Sequence, residues 1–194
     1  MIDIFSNEMF KSCLSTLRNT SEDKRNVKNV FFMTQSDREV IDFDKVKTKY
    51  IKPLGLKEIP KSNDALFDGG QGILVFVEFK NGVINRKEQF DLQKKIYDSI
   101  LIFSDLTKMN ISELRSCMEY ILVYNEEVNS SNPEILKKKE HVQPSKAFDQ
   151  VAKTIASYAK REYVCFGLDM FQKYCFKRVH TYTVQEFEEY LQGL

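Results

Sequence analysis

The strongest hydrophobic pattern in the chain is the apolar run at 73–79, which ends at the polar dipeptide Asn81-Gly82. Both faces of this run are apolar, which is typical of a strand at the centre of a sheet or covered by helices on both sides. A shorter extended segment at 64–67 and a glycine-rich stretch at 68–72 come before it. This order predicts a β-hairpin whose second strand is buried.

Helical periodicity and capping residues predict the elements around the hairpin. Asn85 with Glu88 is a capping-box pattern that begins a helix running to about Asp105. Upstream we predict a helix at 6–18 and a short strand at 30–33, and we assign nothing firm between 36 and 60. Downstream we predict a strand at 119–124, a polar mobile loop at 125–144, a helix at 145–161, a strand at 174–181 and a terminal helix after Thr183.

The resulting order of strands and helices favours an α/β fold with a central mixed sheet flanked by helices, followed by additional C-terminal helices and a short strand. The chain has 194 residues, of which 42% are hydrophobic and 29% charged, so it is long enough for one well-packed core and cramped for two. We therefore expect a single domain over 1–194, with a core at about 6–125 and an elaboration at about 145–194.

Charge and cysteine content exclude several classes of protein. The net charge is +1, from 29 basic and 28 acidic residues, so no global field indicates a nucleic-acid or membrane partner. The four cysteines form no C-x-x-C pair, which favours buried reduced thiols over a zinc site. No secretory leader and no apolar stretch of bilayer length is found, so we expect a cytoplasmic protein without membrane contact.

The candidate chemistry lies at the end of the buried strand. Side chains alternate along a strand, so Glu78 and Lys80 project from one face, and Asp64 on the preceding strand can reach the same place. Two neighbouring carboxylates suit Mg²⁺, and a lysine beside them can neutralise charge that develops on a phosphate. The alternative interpretation is an exposed ion pair at a strand end.

The segment Asn63-Asp64-Ala65-Leu66-Phe67, a turn, and then Val75-Phe76-Val77-Glu78-Phe79-Lys80-Asn81 resembles the core motif of the PD-(D/E)xK nuclease-like superfamily. The predicted order of elements over roughly 6–125 is similar to that family's α-β-β-β-α-β core. The resemblance implies a restriction-endonuclease-like fold and a metal-dependent nuclease that hydrolyses phosphodiester bonds, with a nucleic-acid partner, DNA before RNA.

By position, the resemblance makes Asp64 and Glu78 the metal-binding acids and Lys80 the catalytic lysine, with Mg²⁺ or Mn²⁺ as cofactor. Glu8 in the first helix and Gln93, or Gln89, in the helix after the motif are the accessory candidates, although a helix N-terminal charge and surface glutamines explain these residues equally well.

The resemblance also leaves alternatives. No proline precedes Asp64, and Asp68 is a second acid in a glycine-rich turn. Family members include inactive versions, so a non-catalytic binding module in a defence, immunity or regulatory system is the alternative function. A homodimer suits a protein that cuts both strands of a duplex.

Two further features are interpreted as structural. The lysine run at 137–139 is predicted to be a solvated loop surface. His180 has no recognisable acid or nucleophile nearby in the sequence and is predicted to pack or to lie at the surface.

Overall fold

A computed structural model describes residues 4–23, 30–142 and 163–194 of the chain. The described helices are α1 (Glu8–Lys11), α2 (Leu17–Thr20), α3 (Phe43–Ile51), α4 (Arg86–Thr107), α5 (Ile111–Cys117), α6 (Glu126–Asn129), α7 (Pro133–Val142) and α8 (Val184–Gln192). The described strands are β1 (Leu14–Thr16), β2 (Glu22–Asp23), β3 (Phe31–Phe32), β4 (Glu39–Asp42), β5 (Ala65–Gly70), β6 (Ile73–Lys80), β7 (Met118–Tyr124) and β8 (Arg178–Thr183).

Six of the strands form one mixed sheet in the order β1-β4-β5-β6-β7-β8, while β2 and β3 pair separately. Neighbouring strands from β1 to β6 are antiparallel, and β6, β7 and β8 run parallel. The change of direction follows from the connections: a tight turn joins β5 to β6, whereas the long α4 carries the chain back to the start of β7. The predicted central mixed sheet with flanking helices is confirmed.

The sheet buries apolar side chains on both faces. On one face Phe76 packs edge-on against Phe43 of α3 and Phe103 of α4, with ring centroids 4.8 and 5.9 Å apart. On the other face Phe79 packs edge-on against Phe187 of α8. β6 and β7 are therefore the covered centre of the fold, as the two-sided apolar pattern predicted.

The N-terminal prediction was wrong for the first helix and right for the first apolar strand, although that strand lies outside the main sheet. The helix predicted at 6–18 is interrupted, because Asn7 caps the short α1 and the chain then turns into β1, which pairs with β4. The strand predicted at 30–33 exists as Phe31–Phe32, but it pairs with β2 in the small sheet. β4 takes the position beside the hairpin, because Ile41 and Asp42 pair with β5.

In the C-terminal half, the loop predicted at 125–144 is also wrong, since α6 and α7 lie there; Asn125 caps α6 by accepting hydrogen bonds from two backbone N–H groups. The helix that begins after Asn85 and the capping box of Thr183 with Glu186 are confirmed. The helix predicted at 145–161 lies outside the described residues. Within the described residues, no helix combines the length and the apolarity needed to cross a bilayer.

The lysines at 137–139, which were predicted to form a solvated run, differ in their exposure to solvent. Lys138 is buried, and its Nζ donates to the carbonyl of Thr181 at 2.8 Å and to Glu186 at 2.6 Å. Lys139 forms an ion pair with Glu126 at 3.0 Å. The prediction of a wholly solvated run was wrong, because α7 turns one face of the run toward β8 and α8.

Candidate active site

Asp64 stands directly before β5 and opposite the end of β6, because the two strands are antiparallel. Its backbone N–H donates to the carbonyl of Val77 at 3.1 Å, which continues the strand pairing by one residue. Its Oδ2 accepts the N–H of Phe79 at 2.7 Å. The preceding residue, Asn63, is fixed by Ser99 of α4, whose hydroxyl accepts the Asn63 N–H at 2.8 Å. The carboxylate of Asp64 is therefore held by β6, and the backbone just before it is anchored to α4.

Glu78 lies on the same face of β6 as Phe76, where α4 covers the sheet. Its side chain is only 2% exposed, and Lys95 of α4 supplies its partner: the Lys95 Nζ is 2.5 Å from Glu78 Oε1 and 3.3 Å from Asp64 Oδ1. One ammonium group thus joins the two predicted acids. Glu78 is not half of an exposed ion pair, which was the alternative interpretation of the motif.

Lys95 is the residue that the motif did not predict. It lies three positions after Leu92 and four before Ser99, and both are buried. A lysine at that spacing belongs to the inner face of the helix. This periodicity was the available signal, because a cation on the covered face of α4 needs acidic partners on the sheet.

Lys80 projects from the same face at the end of β6, as predicted. Its ammonium pairs with the carboxylate of Glu88 in the first turn of α4. Both side chains remain about a quarter exposed, at 25% and 29%. Lys80 and Lys95 line the same cleft and are exposed to a similar extent, at 25% and 26%, but only Lys95 contacts the two acids.

These groups line one cleft of about 230 Å³. Its floor consists of Asp64, Glu78 and Lys95, and the segment 20–23 forms another wall. That wall is tethered to the end of β6, because the Asn81 amide donates to Asp23 at 2.8 Å. The small sheet, whose strands pair separately from those of the main sheet, therefore borders the cleft.

Asp44, at the start of α3, is a further acid of the cleft that the sequence did not indicate. It accepts hydrogen bonds from the Ser62 hydroxyl at 2.5 Å and from Lys47 Nζ at 2.9 Å. Burial acts to raise the pKa of Asp44, but these two partners outweigh it and hold the pKa below its ordinary value. Asp44 is therefore a fixed negative charge beside the Lys95 ammonium.

The pKa values of the two central acids, Asp64 and Glu78, are raised, in contrast to that of Asp44. Burial, followed by the charge of Asp64, raises the pKa of Glu78 from 4.5 to about 8. Burial likewise raises the pKa of Asp64. Although burial acts against its charge, Lys95 has a pKa raised above the ordinary lysine value, because Glu78 and Asp64 attract its proton. The site consequently favours added positive charge, whether a proton or a cation.

The donor set fits a hard divalent cation. Asp64 and Glu78 supply carboxylate oxygens, the ligand type that Mg²⁺ and Mn²⁺ prefer. Glu78 Oε2 is fully buried and has no hydrogen-bond partner among the described residues, so Lys95 satisfies only the other oxygen of this carboxylate. Among the same residues, no three His, Cys, Asp or Glu side chains converge as a ready-made metal site.

The accessory candidates lie elsewhere. Glu8 is 90% exposed and pairs with Lys11 at 3.3 Å. Glu8, Gln89 and Gln93 are not among the described residues that line the cleft. Asp68 accepts the Gly70 N–H at 2.8 Å within the hairpin, as a turn residue does.

A second polar pair lies on the opposite face of the sheet. His180 Nε2 is 3.4 Å from Glu119 Oε2, and both residues are buried. The predicted packing role of His180 is confirmed, and the parallel pairing of β7 with β8 adds an acidic neighbour that is distant in sequence. This pair is separate from the cleft.

Comparisons with protein families, with curated proteins and with solved structures found no match to this chain. Function is therefore argued from the fold and the cleft.

Proposed function

We propose that this protein is a metal-dependent nuclease that hydrolyses phosphodiester bonds at the cleft of Asp64, Glu78 and Lys80. The observation that carries the proposal is the convergence of Asp64 and Glu78 on one cation position, occupied by the Lys95 ammonium. A buried Glu78 and a partly buried Asp64 brought together beside a lysine form the kind of acid cluster that occurs at functional sites.

Each residue has a role that follows from its place. Asp64 and Glu78 would hold Mg²⁺ or Mn²⁺ through their carboxylates. When bound, the cation would supply electrostatic stabilisation of the charge that develops on the phosphate. Lys80, at the end of β6, can donate to a phosphate oxygen once it leaves Glu88, and so orient the ester against the carboxylates.

The order of elements supports the same proposal. The helix α1, the strands β4, β5 and β6, the helix α4 and the strand β7 occur in the order α-β-β-β-α-β when the intervening elements β1, α2, β2, β3, α3 and α5 are treated as insertions. Three of these strands are antiparallel, and the fourth is parallel to the third. This is the order expected of a restriction-endonuclease-like core. A nucleic-acid substrate, DNA in the first place, and a homodimer that cuts both strands are parts of the proposal.

A specific observation favours a second candidate, a non-catalytic binding module in a defence, immunity or regulatory system. Both lysines of the cleft are paired within the protein, Lys95 with the two acids and Lys80 with Glu88. Such pairing would be sufficient for a structural network that needs no metal.

A cleavage assay distinguishes the nuclease from the binding module. Purified protein is incubated with labelled single- and double-stranded DNA and RNA in Mg²⁺, Mn²⁺ or EDTA, alongside Asp64→Asn and Lys80→Met. Asparagine keeps an acceptor for the Phe79 N–H, so Asp64→Asn removes the charge and preserves the backbone contact. We expect metal-dependent cleavage that both substitutions abolish.

Lys94→Met is the matched control, because Lys94 is the neighbouring lysine on α4 and pairs with Asp98 away from the cleft. Its cleavage should equal that of the wild type. Cleavage that persists in Asp64→Asn would mean that the activity does not depend on this cleft, whereas no cleavage of any substrate would favour the binding module.

A further inference from the structure

We propose that Lys95 is an internal counter-ion that holds the cation position between Asp64 and Glu78 and that a divalent metal must displace. The proposal rests on the proposed function, since it concerns how the same cleft takes up its metal. It assigns a role to a residue outside the motif.

Lys95 occupies the gap between the two acids. The Lys95 Nζ contacts Glu78 Oε1 at 2.5 Å and Asp64 Oδ1 at 3.3 Å. A metal bound to both carboxylates needs oxygens at 2.0–2.6 Å, within the same narrow gap. The ammonium and the metal would then be neighbouring like charges in a buried site, so the two occupants exclude each other.

Lys95 leaves part of Glu78 unsatisfied. Glu78 Oε2 is completely buried and has no hydrogen-bond partner among the described residues. Lys95 contacts only the other oxygen of this carboxylate. A divalent cation carries twice the charge of the ammonium and would therefore compensate the two acids more completely than the lysine does.

Asp44 provides an acidic neighbour for the ammonium once a metal has displaced it. Asp44 lines the same cleft and interacts electrostatically with Lys95. Asp44 is held by Ser62 and Lys47, so it remains a fixed acceptor when Lys95 leaves the other two acids. The lysine can thus move within the cleft and keep an acidic neighbour.

The consequence is a site that Lys95 occupies in the absence of metal and that a divalent ion enters only by competing with the ammonium. Without Lys95, Asp64 and the buried Glu78 would face each other with no cation between them. With Lys95, the metal-free protein is stabilised, but metal affinity is lowered by the work of displacing the ammonium. Removal of Lys95 should therefore tighten metal binding.

The test is a calorimetric titration of metal-free protein with Mn²⁺, in which wild type is compared with Lys95→Met. We expect the Kd of Lys95→Met to be lower by roughly tenfold or more, the effect of removing one adjacent like charge. Thermal unfolding with and without Mn²⁺ gives a second readout, and the upward shift of Tm should be larger in Lys95→Met than in the wild type.

Three variants sharpen the comparison. Lys94→Met removes the same charge from the neighbouring position of α4 and should leave the Kd at the wild-type value. Lys95→Arg retains the charge and should not tighten binding. If Lys95→Met does not fold, Lys95→Gln decides, since its amide can still donate to Glu78.

An unchanged or weaker affinity in the Lys95 variant, or no Mn²⁺ binding in wild type and variant alike, would overturn the counter-ion proposal. The binding result is independent of cleavage. Tighter binding without any cleavage would refute the nuclease and leave the counter-ion; cleavage lost in Asp64→Asn with unchanged affinity in Lys95→Met would do the reverse.

Discussion

Replacing Glu78 with glutamine should flatten the dependence of stability on pH. In the folded chain the pKa of Glu78 is raised to about 8, against an ordinary value of 4.5. Between these two values the folded protein retains a proton that the unfolded chain releases, so unfolding is favoured as the pH rises. The wild type should therefore lose stability from pH 5 to pH 8 in the absence of metal.

The size of the effect follows from the same two values. At about 1.4 kcal/mol for each pH unit, a pKa of about 8 against 4.5 corresponds to about 5 kcal/mol at most. This is comparable to the whole free energy of unfolding of a marginal domain. Glutamine does not ionise, so the variant should lose much less stability over this range, and the remaining loss should come from Asp64, whose pKa is also raised by burial.

Urea unfolding followed by circular dichroism at pH 5, 6, 7 and 8, with EDTA present, measures both curves. Glu8→Gln is the matched control, because it makes the same change at a side chain that is 90% exposed, and its curve should follow the wild type. If the curves of the wild type and Glu78→Gln stay parallel within about 1 kcal/mol, burial does not control the ionisation of Glu78 and the reasoning fails.

Three further substitutions test how the fold supports the cleft, each by the free energy of unfolding from urea titration. Phe76→Ala should cost about 3–5 kcal/mol, because its buried ring packs edge-on against Phe43; a cost under 1 kcal/mol would contradict this packing. Ser99→Ala should cost about 1–3 kcal/mol, because it leaves the N–H of Asn63 buried without its acceptor; an unchanged stability would mean that another acceptor replaces the hydroxyl. Thr183→Ala should cost about 1 kcal/mol through loss of the α8 cap, and Thr183→Ser, which keeps the hydroxyl, should recover most of it.

Local signals in the sequence were sufficient for the centre of the fold. The apolar run at 73–79 predicted a covered strand, and the cap at Asn85 predicted the start of α4. Alternation along β6 also placed Glu78 and Lys80 on one face. These features depend on residues that are near one another in sequence, so periodicity and capping chemistry were enough to predict them.

Features that depend on contacts between distant segments were not predictable in the same way. The helical spacing at 6–18 gave no warning that the chain turns to pair with β4, because that pairing depends on a partner more than twenty residues away. Asp44 joins the cleft only because α3 packs beside β5 and Ser62 reaches its carboxylate. Lys95 carried a periodic signal, but its acidic partners were known only once the sheet was assembled.

The three central charges of the cleft, Asp64, Glu78 and Lys95, come from one continuous stretch of chain, 64–95. Lys95 is 31 residues from Asp64 and 17 from Glu78, so short loops bring the three together. The entropy of closing such loops is low, and hairpins and helices form early in folding. The two acids therefore meet in a segment that already contains their cation, and the nascent chain need not bury an unpaired carboxylate while β7 and β8 are still to be added.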